Sequence, residues 1–188
     1  MASDKPMVFL DLDQTLISAE AIEDFPFKEP NMREKALNFA IHDMDGYYII
    51  FERPHVQDFL DYLFENYRVS VWTAASKDYA LFVIKYIVLR RPNRQLEYIL
   101  FSYHCELSKQ FFKSSKDLRL VWDTFRLDGI TPKNSLIIDD LDEVYECQPR
   151  NAIHIPAFEI LDNYSEHDKE LQSSIKNQLT AKFVEMAT

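Results

Sequence analysis

The chain's 188 residues, 47% of them hydrophobic and 28% charged, suffice for a buried core without staples and exclude a disordered chain. A formal net charge of −10 excludes a general nucleic-acid or acidic-membrane binder, and any anionic ligand would need a local cationic site. Two cysteines, Cys105 and Cys147, make neither a disulfide framework nor a zinc pattern and are expected as buried free thiols; no segment reads as a signal peptide or a membrane span, so a soluble intracellular protein, nuclear or cytoplasmic, is expected.

Val8, Phe9 and Leu10 form a continuous apolar run, the pattern of a parallel strand covered on both faces. It ends in two carboxylates one residue apart, Asp11 and Asp13. In open α/β sheets ligands bind at that edge, so the pair can hold a hard divalent cation through oxygen, although an Asp-rich turn is the plainer alternative. Residues 19–31 carry four acids and two prolines with little periodicity and read as a surface loop. Residues 36–41 and 47–51 flank Asp45-Gly46, a favourable turn dipeptide, and predict a β-hairpin beside the first strand.

Pro54 opens a helix with Val56, Phe59, Leu60, Leu63 and Phe64 on one face. Residues 69–72 predict a second buried strand that ends at Thr73, Ala74, Ala75 and Ser76. A helix over residues 77–90 follows, with Tyr79, Phe82, Val83, Tyr86 and Ile87 as its apolar face, and Pro92 ends it. Residues 98–101 predict a third strand, the segment to Ser115 a loop, and residues 117–125 a helix with Lys116 at its start. Residues 135–138 are the clearest buried strand and again end in acids, Asp139 and Asp140; residues 152–155 predict the last strand. Ser165, Glu166, His167 and Asp168 resemble a capping box before a helix whose stripe is Leu171, Ile175, Leu179 and Phe183. The alternation predicts one domain: a parallel α/β sheet flanked by helices, a catalytic core at about residues 7–160 and a C-terminal helix at about 165–184.

Asp11/Asp13, Thr73 and Asp139/Asp140 thus fall on strand ends that a doubly wound sheet can bring together, with Lys116 able to lean over the same edge. The set suits phosphoryl transfer. Asp11 can attack phosphorus as a carboxylate, and Asp13 can donate a proton to the leaving oxygen and later take one from water. Asp140 with Asp11 can hold Mg²⁺, Lys116 adds positive charge, Thr73 a hydroxyl donor, and Asp139 orients Lys116. Taken singly, each residue also has a plainer reading, such as a strand-end cap or a helix N-cap. Lys116 fits that reading poorly, because a cation at a helix N-terminus opposes the helix dipole. His104, His154 and Cys105 match no strong metal spacing, and structural roles are expected for them.

Asp11-Leu12-Asp13-Gln14-Thr15, Thr73 after a strand, Lys116, and Asp139-Asp140 after another strand resemble the four ordered motifs of the haloacid-dehalogenase (HAD) phosphatase superfamily. Arg53-Pro54-His55, Trp72-Thr73-Ala74-Ala75-Ser76 and Lys116-Asp117-Leu118 narrow the resemblance to the NLI-interacting-factor-like branch, the FCP/SCP-type phosphatases of the RNA polymerase II C-terminal domain. Lys116 to Trp122, and Ile138 onward to Phe158, look most like the ubiquitin-like-domain-containing member, although no such domain fits in this length. The resemblance implies a HAD-like (Rossmannoid) fold. It also implies Asp11 as nucleophile and metal ligand, Asp13 as acid/base and carbonyl ligand, and Asp140 as the remaining metal contact. Thr73, Ala74 and Lys116 would take the phosphate, with Thr15 and Asp139 in support and Mg²⁺ as cofactor. Neither gap between motifs leaves space for a large cap domain, which suggests a phosphorylated protein or peptide as partner. Tyr103, Phe111, Phe112 and Trp122 could pack on such a peptide, though aromatic residues more often fill the core. A HAD-fold binding module without turnover and a phosphatase for small phosphoesters are the alternatives.

Overall fold

The structure, a computed structural model, describes residues 5–161 and 168–187. It begins with β1 (Met7–Leu10), β2 (Ile17–Ala21), α1 (Pro30–Ala36), β3 (Ile41–Met44), β4 (Tyr48–Glu52) and α2 (Val56–Asn66). Then come β5 (Arg68–Trp72), α3 (Lys77–Val83) running into a π-helical turn at Ile84–Val88, β6 (Ile99–Leu100) and α4 (Ser102–Phe112). After a π-helical turn at Leu120–Thr124 follow β7 (Ser135–Asp139), α5 (Asp142–Glu146) and β8 (Ala152–His154). A π-helical turn at Glu170–Ser174 leads into α6 (Ile175–Ala187).

Five strands are parallel in the order β6-β5-β1-β7-β8, so the first strand of the chain is the central one. Successive side chains of a strand point to opposite faces. Val8 and Leu10 therefore join Val69, Val71, Leu136 and Ile138 on one face, packed with residues of α2, α3 and α6. Met7 and Phe9 join Trp72 and Ile137 on the other, with Cys105 of α4 and Val144 of α5. Burial on both sides is why the apolar run is continuous rather than alternating. Phe9 is fully buried and meets Trp72 edge-on, with ring centroids 6.3 Å apart.

A second sheet, antiparallel in the order β2-β4-β3, leaves the first between β1 and α2. Asp45 and Gly46 take the positive φ values, 51° and 77°, that this dipeptide favours at a hairpin turn, and the Tyr47 N–H closes it on the Met44 carbonyl at 2.9 Å. The insertion is larger than the expected hairpin. The stretch 19–31 is not all loop: Ile17–Ala21 pairs with β4 from Ile17 opposite Glu52 to Ala21 opposite Tyr48, and α1 starts at Pro30. Ser18, Ala19 and Glu20 carry little strand preference of their own, so the pairing with β4 decides their conformation. The hairpin's first arm is accordingly Ile41–Met44, while Ala36 ends a helix.

Two further expectations change. The segment after β6 is a helix, α4, rather than a loop, and the stretch 117–125 winds as a π-helical turn at Leu120–Thr124. Cys105 is buried as expected, but Cys147 is exposed. Of the capping box, Ser165, Glu166 and His167 lie outside the described residues; Asp168 Oδ1 accepts the Glu170 N–H at 2.8 Å. Leu171, Ile175 and Leu179 pack into the core on the face shared with α2.

Candidate active site

Because β5, β1 and β7 are adjacent, three loops leave the C-terminal edge of the sheet side by side. Asp11 follows β1, and its N–H still bonds the Ile138 carbonyl at 3.0 Å, so its position is as rigid as the strand. Thr73 follows β5 with its N–H on the Leu100 carbonyl at 2.9 Å, Asp139 ends β7, and Asp140 starts the next loop. Lys116 arrives from the segment after α4. Its side chain is 1% exposed, and Nζ lies 2.5 Å from Asp11 Oδ1 and 2.6 Å from Asp139 Oδ2. Gln148 fixes the backbone there, donating to the Lys116 carbonyl at 2.7 Å and accepting the Leu118 N–H at 2.9 Å.

The turn after Asp11 is tied at several points. Gln14 adopts a positive φ of 61°, its N–H bonds the Ile17 carbonyl at 2.7 Å, and its own carbonyl accepts the Phe158 N–H at 2.7 Å. The Thr15 hydroxyl lies 3.1 Å from Asp11 Oδ2 and 3.3 Å from Asp140 Oδ1, and donates to one of them at a time. Arg53, buried, donates to the Thr15 carbonyl at 3.1 Å while Asp168 neutralises it at 2.8 Å. The Thr73 hydroxyl accepts the Ala75 N–H at 3.1 Å, bending the chain so that Ala74 is exposed. Asp13 is half-buried and accepts a 2.5 Å hydrogen bond from the Tyr79 hydroxyl. It lines a depression of about 400 Å³ with Ala19, Tyr48, Ala75, Ser76 and Tyr79.

The site carries four carboxylates and one buried ammonium. Burial pushes Asp13 up to about 6, against the lowering effect of the Tyr79 hydrogen bond. Burial and the Asp11 charge push Asp139 to about 7 and Asp140 to about 6, despite Lys116. Burial disfavours the charge on Lys116, but Asp11 and Asp139 outweigh it and keep the ammonium protonated. Asp11, Asp139 and Asp140 present oxygens all within 4.8 Å of one another, a hard donor set that fits a divalent cation and an excess of negative charge that calls for one. Asp139 is already engaged at both oxygens, by Lys116 and by the Leu141 N–H at 2.9 Å. The structure thus brings Asp11, Thr15, Lys116, Asp139 and Asp140 into direct contact. Asp13 and Thr73 stand on the same edge with other partners, and the Asp13 carboxylate lies outside the acidic triplet.

Over residues 6–185 the sequence matches the NLI interacting factor-like phosphatase family. The chain belongs to this family. This NLI interacting factor-like phosphatase is 44% identical over 168 residues to the CTD phosphatase-like protein 355R of Invertebrate iridescent virus 6, covering 87% of this chain and 92% of that protein. It is 43% identical over 173 residues to the protein of the same name from Invertebrate iridescent virus 3, covering 89% and 91%. Among solved structures it resembles the fission yeast RNA polymerase II CTD phosphatase Fcp1 bound to beryllium fluoride. That likeness has a TM-score of 0.60 and 21% identity, over 96% of this chain and 51% of that one, and speaks to fold alone. Family and fold together make it an FCP/SCP-type phosphatase with a HAD-like sheet.

Some residues surrounding the candidate site were not legible in the sequence. Tyr79 reads there as part of an apolar helix face, yet its hydroxyl is committed to Asp13. Gln148 carries no motif at all. His104 has its Nδ1 on the Phe101 N–H at 3.0 Å, a local backbone cap, whereas His154 reaches the Asp140 carbonyl at 2.8 Å. Of the four aromatic residues expected to be able to contact a peptide, Tyr103 and Phe111 are exposed, while Phe112 and Trp122 are partly buried against the core.

Proposed function

We propose that this phosphatase is a Mg²⁺-dependent protein serine/threonine phosphatase that works through an aspartyl-phosphate, on phosphopeptides like those of the RNA polymerase II C-terminal domain. The observation that carries the reading is a carboxylate, Asp11, fixed on the central strand by Lys116 at 2.5 Å, with a second carboxylate two residues on. Asp11 attacks phosphorus, the bond to the seryl or threonyl oxygen breaks, and that oxygen takes a proton from Asp13. Water then attacks the aspartyl-phosphate, gives its proton to Asp13 and frees Asp11. Lys116 holds Asp11 in place and offsets charge on the phosphoryl oxygens, together with the hydroxyl of Thr73 and the backbone around Ala74. Asp139 orients Lys116, and Thr15 spans Asp11 and Asp140. Asp11, Asp140 and the Asp13 carbonyl would hold Mg²⁺, whose charge offsets repulsion between the carboxylate and a dianionic phosphate.

An extended peptide fits the open depression beside Asp13, and the viral relatives' names as CTD phosphatase-like proteins favour this substrate. No helix of the described residues is long and apolar enough to cross a membrane, and a nuclear or cytoplasmic location suits such a substrate. The whole chain acts as one catalytic unit in this reading. The test is phosphate release from C-terminal-domain phosphopeptides with Mg²⁺ or EDTA, comparing wild type with Asp11→Asn. Turnover that needs Mg²⁺ and vanishes in the variant is expected. Undiminished turnover by Asp11→Asn, or in EDTA, would sink the mechanism.

A further inference from the structure

Tyr79 stands on the first turn of α3, six residues beyond Thr73, and its hydroxyl donates to Asp13 Oδ1 at 2.5 Å. Burial and the charge of Asp13 both raise the phenol, so it remains an O–H donor throughout the working range of pH. The ring is held edge-on by Tyr48 of β4, with centroids 5.6 Å apart, so its position depends on both sheets. Of the two Asp13 oxygens, the one bound to Tyr79 is occupied.

We infer that Tyr79 is a positioning residue for proton transfer: by occupying Oδ1 it fixes the Asp13 rotamer and reserves Oδ2 for the proton passed to the leaving oxygen. The inference rests on the phosphatase reading above. In the first half-reaction the Asp11–phosphorus bond forms and the phosphorus–oxygen ester bond breaks. The departing electron pair and the Oδ2 proton meet on the leaving oxygen, while the Tyr79 proton stays where it is. Without the phenol, Asp13 can rotate and present a proton in the wrong direction. That loss matters in proportion to how much the leaving group needs a proton. A seryl alkoxide is strongly basic and cannot leave without one; p-nitrophenolate is weakly basic and leaves unaided.

The test compares kcat/KM of wild type and Tyr79→Phe on a phosphoseryl peptide and on p-nitrophenyl phosphate. This parameter reports steps only up to leaving-group departure, so the later water step does not blur it. A roughly 10- to 100-fold loss on the peptide is expected, a part of the roughly 10²- to 10⁴-fold that general acid–base catalysis contributes, with a loss below about 3-fold on p-nitrophenyl phosphate. The second substrate also controls for folding, because a misfolded variant loses both. Adding Tyr79→Phe to Asp13→Asn should cost no further kcat/KM on the peptide, since the phenol acts only through that carboxyl. Equal losses on the two substrates by a Tyr79→Phe variant that melts at the wild-type temperature, no loss on either, or an undiminished effect in the Asp13→Asn background would overturn the assignment. An inactive wild type would instead count against the phosphatase reading itself.

Discussion

Lys116→Met removes the one ammonium from a cluster of carboxylates while keeping a side chain of similar length. In the wild type Nζ serves Asp11 at 2.5 Å and Asp139 at 2.6 Å, with its side chain 1% exposed. Breaking a buried pair by removing one partner costs about 3–5 kcal/mol, because the remaining charge has neither water nor a counter-ion. Each kcal/mol lowers Tm by roughly 2–4 °C in a chain of this size, so a fall of about 6–20 °C is expected. Thermal melts followed by circular dichroism in EDTA provide the assay, with Lys109→Met as a control. Lys109 pairs with Glu106 at 3.2 Å on the surface, with half its side chain in water, and its removal should leave Tm unchanged. Adding Mg²⁺ should stabilise Lys116→Met more than wild type, since the ion meets a less neutralised cluster. A drop below about 2 °C, or one matched by the control, would refute the claim that Lys116 neutralises this site.

Phe9→Ala empties a fully buried position between the central strand and Trp72, and should cost about 3–5 kcal/mol in urea unfolding while leaving any folded enzyme's KM unchanged. Burial tends to raise the Glu52 carboxyl, but hydrogen bonds with His42 and Gln57 and the charge of Arg90 hold it below the usual glutamate range. A depressed folded-state value means a contribution that is present above the unfolded pKa and lost as pH falls through the folded one. Wild-type stability should therefore fall below about pH 4.3, the ordinary glutamate value, and Glu52→Gln should flatten that decline in urea titrations run at pH 3 to pH 6. An unchanged slope in the variant would remove Glu52 from the account.

The parts of the fold legible in the sequence are those whose cause is local. Residues 8–10 and 135–138 read as strands because burial on both faces leaves a continuous apolar run, and Asp45-Gly46 reads as a turn because of the φ values it accepts. Strand β2 was hidden because Ser18, Ala19 and Glu20 take their conformation from β4 rather than from their own preference. Helix α4 was hidden because its buried residues, Cys105 and Ser108, are small, and two large aromatic residues, Tyr103 and Phe111, face outward. The acids and Lys116 stood out because polar residues at the ends of buried strands contrast with what precedes them. Tyr79 did not, since its ring satisfies the apolar helix face and only the hydroxyl atom serves the site.

Placing the earliest strand in the middle of the sheet has a consequence for synthesis. Asp11 meets Lys116 across 105 residues of sequence, and Thr15 meets Asp140 across 125. A growing chain therefore carries Asp11 from the start but cannot complete the charges around it until β7 has emerged and docked. Such distant pairings form slowly, because the intervening chain must close before any contact rewards it. In the mechanism proposed above, hydrolytic competence becomes a late event, a chemical stamp that the whole sheet has closed, and an unfinished chain carries only an acidic strand end.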